Sequence, residues 1–126
     1  MLKPRWLMAA SALVLGALGI AATFGPYEFL AHVGAEPRPG LVLVVQAAGA
    51  LYLGFASLNW MAKGSLIGGI YGKPVAIGNL THFTVLTFAL LRVILDGTAP
   101  PMLIVVTFIY ALFAVWFATV AFGVRT

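Results

Sequence analysis

Four long runs of apolar residues alternate with short polar breaks along this chain. The runs are Trp6 to Phe24, Leu41 to Met61, Val75 to Leu95 and Met102 to Phe122. A helix needs about 20 apolar residues to cross about 30 Å of hydrocarbon, and each run measures roughly 28–32 Å at 1.5 Å per residue. The breaks carry helix-stopping residues. Gly25-Pro26 follows the first run, and Pro37, Pro39 and Gly40 precede the second. Gly72 and Pro74 precede the third, while Gly97, Pro100 and Pro101 separate it from the fourth. The pattern predicts an all-α integral membrane protein, an up-down four-helix bundle forming one domain over residues 1–126. In the first break, Pro26 suits a first helical position, Glu28 a first turn and Gly34 a helix end. Residues 26–33 are therefore expected to form a short interfacial helix at the outer surface, with Tyr27 and Phe29 dipping inward.

Composition says what must cover these runs. Of 126 residues, 63% are apolar and 8% charged, whereas a soluble domain is about half apolar and about a quarter charged. A core this small does not hide so much apolar surface from water, so the bilayer does. The absence of cysteine excludes disulfides, thiolate metal sites and Cys-x-x-Cys redox chemistry. Seven basic residues scattered over the loops do not point to nucleic acid. They do set an orientation. Lys3, Arg5, Lys63, Lys73 and Arg125 fall on one side, and Arg38, Arg92, Glu28, Glu36 and Asp96 on the other. The positive-inside rule then places both termini and the middle loop in the cytoplasm. A second reading makes the first run a signal peptide, with a basic start at Lys3 and Arg5 and a cleavage site at Gly19-Ile20-Ala21. The length of the run and Trp6 at an interfacial position favour a span.

Helices in lipid associate through close packing of small residues. Ala9, Ala12, Gly16, Gly19 and Thr23 form one such stripe on the first span, and Ala47, Ala50, Gly54 and Ser57 another on the second. These two are expected to pack together. The fourth span spreads Phe108, Tyr110, Phe113, Trp116, Phe117 and Phe122 around its circumference, which predicts a helix facing lipid or a partner's membrane helix.

Polar side chains at membrane depth cost energy and need a partner or a use. Gln46 lies inside the outer end of the second span, and Tyr52 and Asn59 share a face of it. Asn79 and His82 share a face of the third. Asn59, Asn79 and His82 are expected near the cytoplasmic ends of their helices, as one cluster. Two readings stand: hydrogen-bonded register between helices, or a polar site for a ligand or lipid head group that also draws on Tyr52 and Gln46. A single histidine with no neighbouring carboxylate is a poor metal site, so neither metal nor cofactor is expected. Arg92 and Asp96, four apart, are expected to pair at the outer end. Between Asn59 and Asn79 runs a glycine-rich stretch with Lys63, Tyr71 and Lys73. It fails as a nucleotide P-loop because Ile67 replaces the first glycine and Pro74 follows the lysine. It suits an interfacial loop bringing Lys63, Lys73 and Tyr71 to lipid head groups, or a plain flexible loop. The Asn79-Leu80-Thr81 sequon lies within a span and is disregarded.

The segments Gly49-Ala50-Leu51-Tyr52-Leu53-Gly54-Phe55, Asn59-Trp60-Met61, Gly68-Gly69-Ile70-Tyr71-Gly72-Lys73-Pro74 and Asn79-Leu80-Thr81-His82-Phe83 resemble a group of small bacterial four-helix membrane proteins, DoxX-like in size and layout. The resemblance covers residues 41 to 95 best and implies a bacterial inner-membrane bundle. Three functions compete. An accessory or binding bundle contacting lipid, another membrane protein or a second copy fits the apolar fourth span and the shortage of catalytic groups. A transporter or channel component is the second: a proton-coupled exporter usually carries a carboxylate within a span, and none of the three acids lies in one, which argues against proton-driven export but not against a passive pathway in an oligomer. A membrane enzyme or cofactor carrier has only His82 with Asn59 and Asn79 to use.

Overall fold

The computed structural model describes residues 4–64, 73–97 and 99–122. They form α1 (Pro4–Phe24), α2 (Pro26–His32), α3 (Pro39–Ala62), α4 (Lys73–Leu95) and α5 (Pro101–Phe122). All but α2 are long and apolar enough to cross a membrane, so the chain is a helical membrane bundle. Pro26, Pro39 and Pro101 each open a helix, and Pro74 sits second in α4. At these positions the missing N–H would have had no partner. With Pro4 opening α1 as well, all four long helices begin one to two residues ahead of their apolar runs. Gly34 and Gly97 follow α2 and α4 with φ of +80° and +78°, the left-handed conformation that ends helices at glycine.

The short helix α2 forms where the proline and glycine signals predict it, but its inward face differs. Pro26 and Leu30 are buried, Phe29 is half-buried, and Tyr27 is 59% exposed. Leu30 packs with Ala22 of α1 and with Val42 and Val45 of α3. Tyr27 lies about 60° round the helix from Leu30, on its exposed flank.

The bundle is built from two helix pairs, α1 with α3 and α4 with α5. The α1 stripe packs as expected. A methyl group added at Gly19 would come within 3.0 Å of the Gly49 carbonyl oxygen, and one at Gly16 would lie 3.7 Å from Ala56. The α3 stripe does not: Ala47, Ala50, Gly54 and Ser57 are all exposed. The face that meets α1 instead runs through Val45, Gly49, Leu53, Ala56 and Asn59. Both stripes have helical spacing. The buried one carries the polar Asn59, which hydrocarbon would penalise on the outside.

The two pairs join along the half of the bundle away from α2. There Leu7, Met8 and Leu15 of α1 meet Phe83 of α4 and Tyr110, Phe113 and Phe117 of α5. The Phe83 ring lies 4.7 Å from Tyr110, 5.1 Å from Phe113 and 5.6 Å from Phe117. This corrects the expectation that α5 has no inner face. Thr107, Tyr110, Phe113, Phe117 and Ala121 are buried at helical spacing, while Phe108 and Phe122 remain exposed. Toward α2 the buried apolar cluster of the described residues is drawn from α1, α2 and α3, and the pairs part.

Candidate functional site

The expected polar cluster resolves into three separate arrangements. Asn59 and Asn79 do meet, through two reciprocal amide hydrogen bonds of 2.7 Å. The second Asn59 N–H donates to the Ser11 hydroxyl at 3.1 Å, and the second Asn79 N–H to the Val75 carbonyl at 2.9 Å. Ser11 in turn donates to the Met8 carbonyl at 3.0 Å. Every donor of the two amides is used, and the network ties α1, α3 and α4 together with all three side chains fully buried. Ser11 carried no signal of its own. A serine one helical turn after Leu7 reads as neutral until its neighbours are known.

His82 turns away from this network. Three residues along a helix rotate a side chain by roughly 300°, so it diverges from Asn79 by about 60°. Its Nε2 lies 3.0 Å from the Tyr110 hydroxyl on α5. The ring stacks on Phe55 at 5.6 Å and meets Tyr52, Phe83 and Tyr110 edge-on at 5.4, 5.0 and 5.4 Å. His82 is the tenth residue of α4 and Tyr110 the tenth of α5. The pair therefore sits at mid-depth of the bundle rather than at the cytoplasmic end. Gln46 serves a third purpose: its Nε2 donates to the Thr23 carbonyl at 3.3 Å, one of the carbonyls left open at the C-terminus of α1.

Directly above Tyr52 and Tyr110, where the helix pairs part, lies a cavity of about 740 Å³. Sites for drug-sized molecules span roughly 300–1,000 Å³. Its walls come from Leu18, Ala21 and Phe24 of α1, Leu86 and Leu90 of α4, and Met102, Leu103 and Val106 of α5. Its rim is Gly25 with Glu28, Phe29, His32 and Val33. From Met102 to Tyr110 the wall rises about 12 Å. Beneath the floor, Leu15, Phe83 and Phe113 close up into the packed core. The site thus has a polar rim and an apolar shaft, with Tyr52 and the fully buried Tyr110 at the bottom.

No family model, no curated protein and no solved structure matches the chain.

Three of the five described basic residues, Arg5, Lys63 and Lys73, lie at the end away from α2. Lys63 Nζ lies 3.9 Å from the centre of the Trp60 ring and donates to the Trp60 carbonyl at 3.2 Å. Lys73 Nζ lies 5.6 Å from the Phe122 ring, and the Arg5 guanidinium 5.8 Å from Trp6. Tyr71 and the rest of 65–72 fall outside the described residues. At the other end the expected Arg92–Asp96 side-chain pair does not form: only the helical backbone bond from Asp96 N to Arg92 O, 3.1 Å, links them, and both side chains are exposed. Among the described residues, no three His, Cys, Asp or Glu side chains gather at one place.

Proposed function

We propose that the protein is a membrane-embedded binding bundle that takes a membrane-dissolved molecule into the cavity between its helix pairs. The observation that carries this is the cavity itself, about 740 Å³ in a chain of 126 residues, apolar in its walls and polar only at rim and floor. A lipid or other hydrophobic molecule gains contact area there without leaving the hydrocarbon region. The packed aromatic core below the floor favours binding over conduction.

The charge distribution supports a cytoplasmic location for the Arg5, Lys63 and Lys73 end, where each cation sits over an aromatic ring near a helix end. In this reading α2 lies on the far side of a bacterial inner membrane, a choice of membrane that rests on the sequence resemblance. The test is native mass spectrometry of the protein extracted in a mild detergent. The wild type is expected to carry extra mass from a retained small molecule, and Leu86→Trp, which fills the shaft, to lose it. Retention of the same mass by Leu86→Trp, or a bare chain found only with a larger membrane protein, would overturn the cavity reading in favour of an accessory subunit.

A further inference from the structure

Among the described residues of the lining, Glu28 is the one carboxylate, and no lysine or arginine contributes. Its carboxylate folds back over the rim: a methyl group placed on Gly25, itself part of the lining, would lie 3.3 Å from Glu28 Oε1. His32, one turn later, lies 2.9 Å from the Glu28 carbonyl oxygen through Nδ1. A carbonyl only accepts, so Nδ1 donates to it and Nε2 is the ring atom left to face a ligand. The Glu28 carboxylate and this ring nitrogen stand at the mouth, with Phe24 and Phe29 beside them. Aromatic faces attract cations. The shaft below is apolar for about 12 Å. The surrounding end of the bundle has the same bias, holding all three acids of the chain against Arg38 and Arg92.

Resting on the binding function above, we infer that the ligand is a lipophilic amine, bound as its ammonium. The ammonium sits at Glu28 and His32, and the apolar body descends between α1, α4 and α5 toward Tyr110. Donor matches acceptor at the rim, and a positive head meets the single carboxylate. An anionic head, as on a fatty acid, would meet the Glu28 carboxylate with the wrong sign.

The full chain in nanodiscs of zwitterionic lipid, with protein-free discs as the blank, provides the test by isothermal titration calorimetry. The probes are a naphthyl-alkyl primary amine and the alcohol and carboxylate of the same skeleton. The amine is expected to bind about tenfold more tightly than the alcohol, and the carboxylate most weakly. Glu28→Gln, at an exposed position, is expected to bring the amine to within about twofold of the alcohol and to leave the alcohol unchanged. Equal binding of amine and alcohol to the wild type, or an amine preference that survives Glu28→Gln, would overturn the inference. Leu86→Trp, or Leu103→Phe should the first variant fail to accumulate, separates this from the cavity reading. If either variant abolishes alcohol binding while the amine has no advantage, the cavity holds a ligand of another chemistry. If neither variant changes binding of any probe, both readings fall.

Discussion

At the scale of single residues, the Asn59–Asn79 pair separates two energies that are often merged. Made whole, an interhelical hydrogen bond in a membrane contributes about 0.6 kcal/mol on average, and rarely more than about 2 kcal/mol. Broken on one side, it leaves a buried amide without its partner, at a cost of about 1–3 kcal/mol. Asn79→Ala is therefore expected to destabilise the bundle by about 1–3 kcal/mol, measured by detergent-induced unfolding followed by circular dichroism. The double variant Asn59→Leu plus Asn79→Leu removes both partners and keeps the volume, and is expected to cost less than the single one. A double variant that costs more would mean that the amides contribute attraction beyond mutual satisfaction. The residues involved were only partly legible from sequence. Asn59 and Asn79 stood out because amides are rare among hydrocarbon side chains. Tyr110, Glu28 and His32 did not, because an aromatic in an aromatic-rich span and two polar residues in an outer loop have ordinary explanations.

At the scale of elements, the choice of face on α3 was hidden by composition. Alanine and glycine occupy two adjacent stripes of that helix, and spacing alone ranks them equally. The stripe through Asn59 buries, and with it Gly49, where an added methyl group would come within 2.9 Å of the Thr23 backbone nitrogen. Gly49→Ala is expected to push α1 and α3 apart and cost about 1–3 kcal/mol, as overpacking does. Gly54→Ala, with nothing within 4 Å of the added methyl, is expected to be neutral or slightly stabilising. Thermal unfolding in one detergent compares the two, and equal losses would contradict the assigned face. Helix existence and ends, by contrast, were written plainly in the sequence, since 20-residue apolar runs and prolines at first turns leave little choice.

At the scale of the whole molecule, the fold class was legible and the cavity was not. Hydropathy counts spans without stating which helices pair, and the cavity exists because α1 pairs with α3, α4 with α5, and the pairs meet along one half only. The proposed orientation belongs to this scale as well. Lys63→Glu combined with Lys73→Glu reverses the charge bias around the middle loop and is expected to yield a mixed or inverted topology. Cysteine labelling from either side of the membrane, using single cysteines placed near Arg38 and at Thr126, reads the outcome. An unchanged labelling pattern would remove the charge argument for orientation.

The parting of the helix pairs on one side has a mechanical consequence. Lipids press sideways on any embedded body, and here the two leaflets press on different things. In one leaflet they bear on a stacked aromatic core, which is dense and yields little. In the other they bear on two walls with space between them. On the proposed binding function, tightly ordered lipids in that second leaflet are expected to squeeze the walls together and weaken binding, and loosely packed lipids to let them spread. The bundle would then act as a clip held shut at one jaw, its grip set by the packing of a single leaflet.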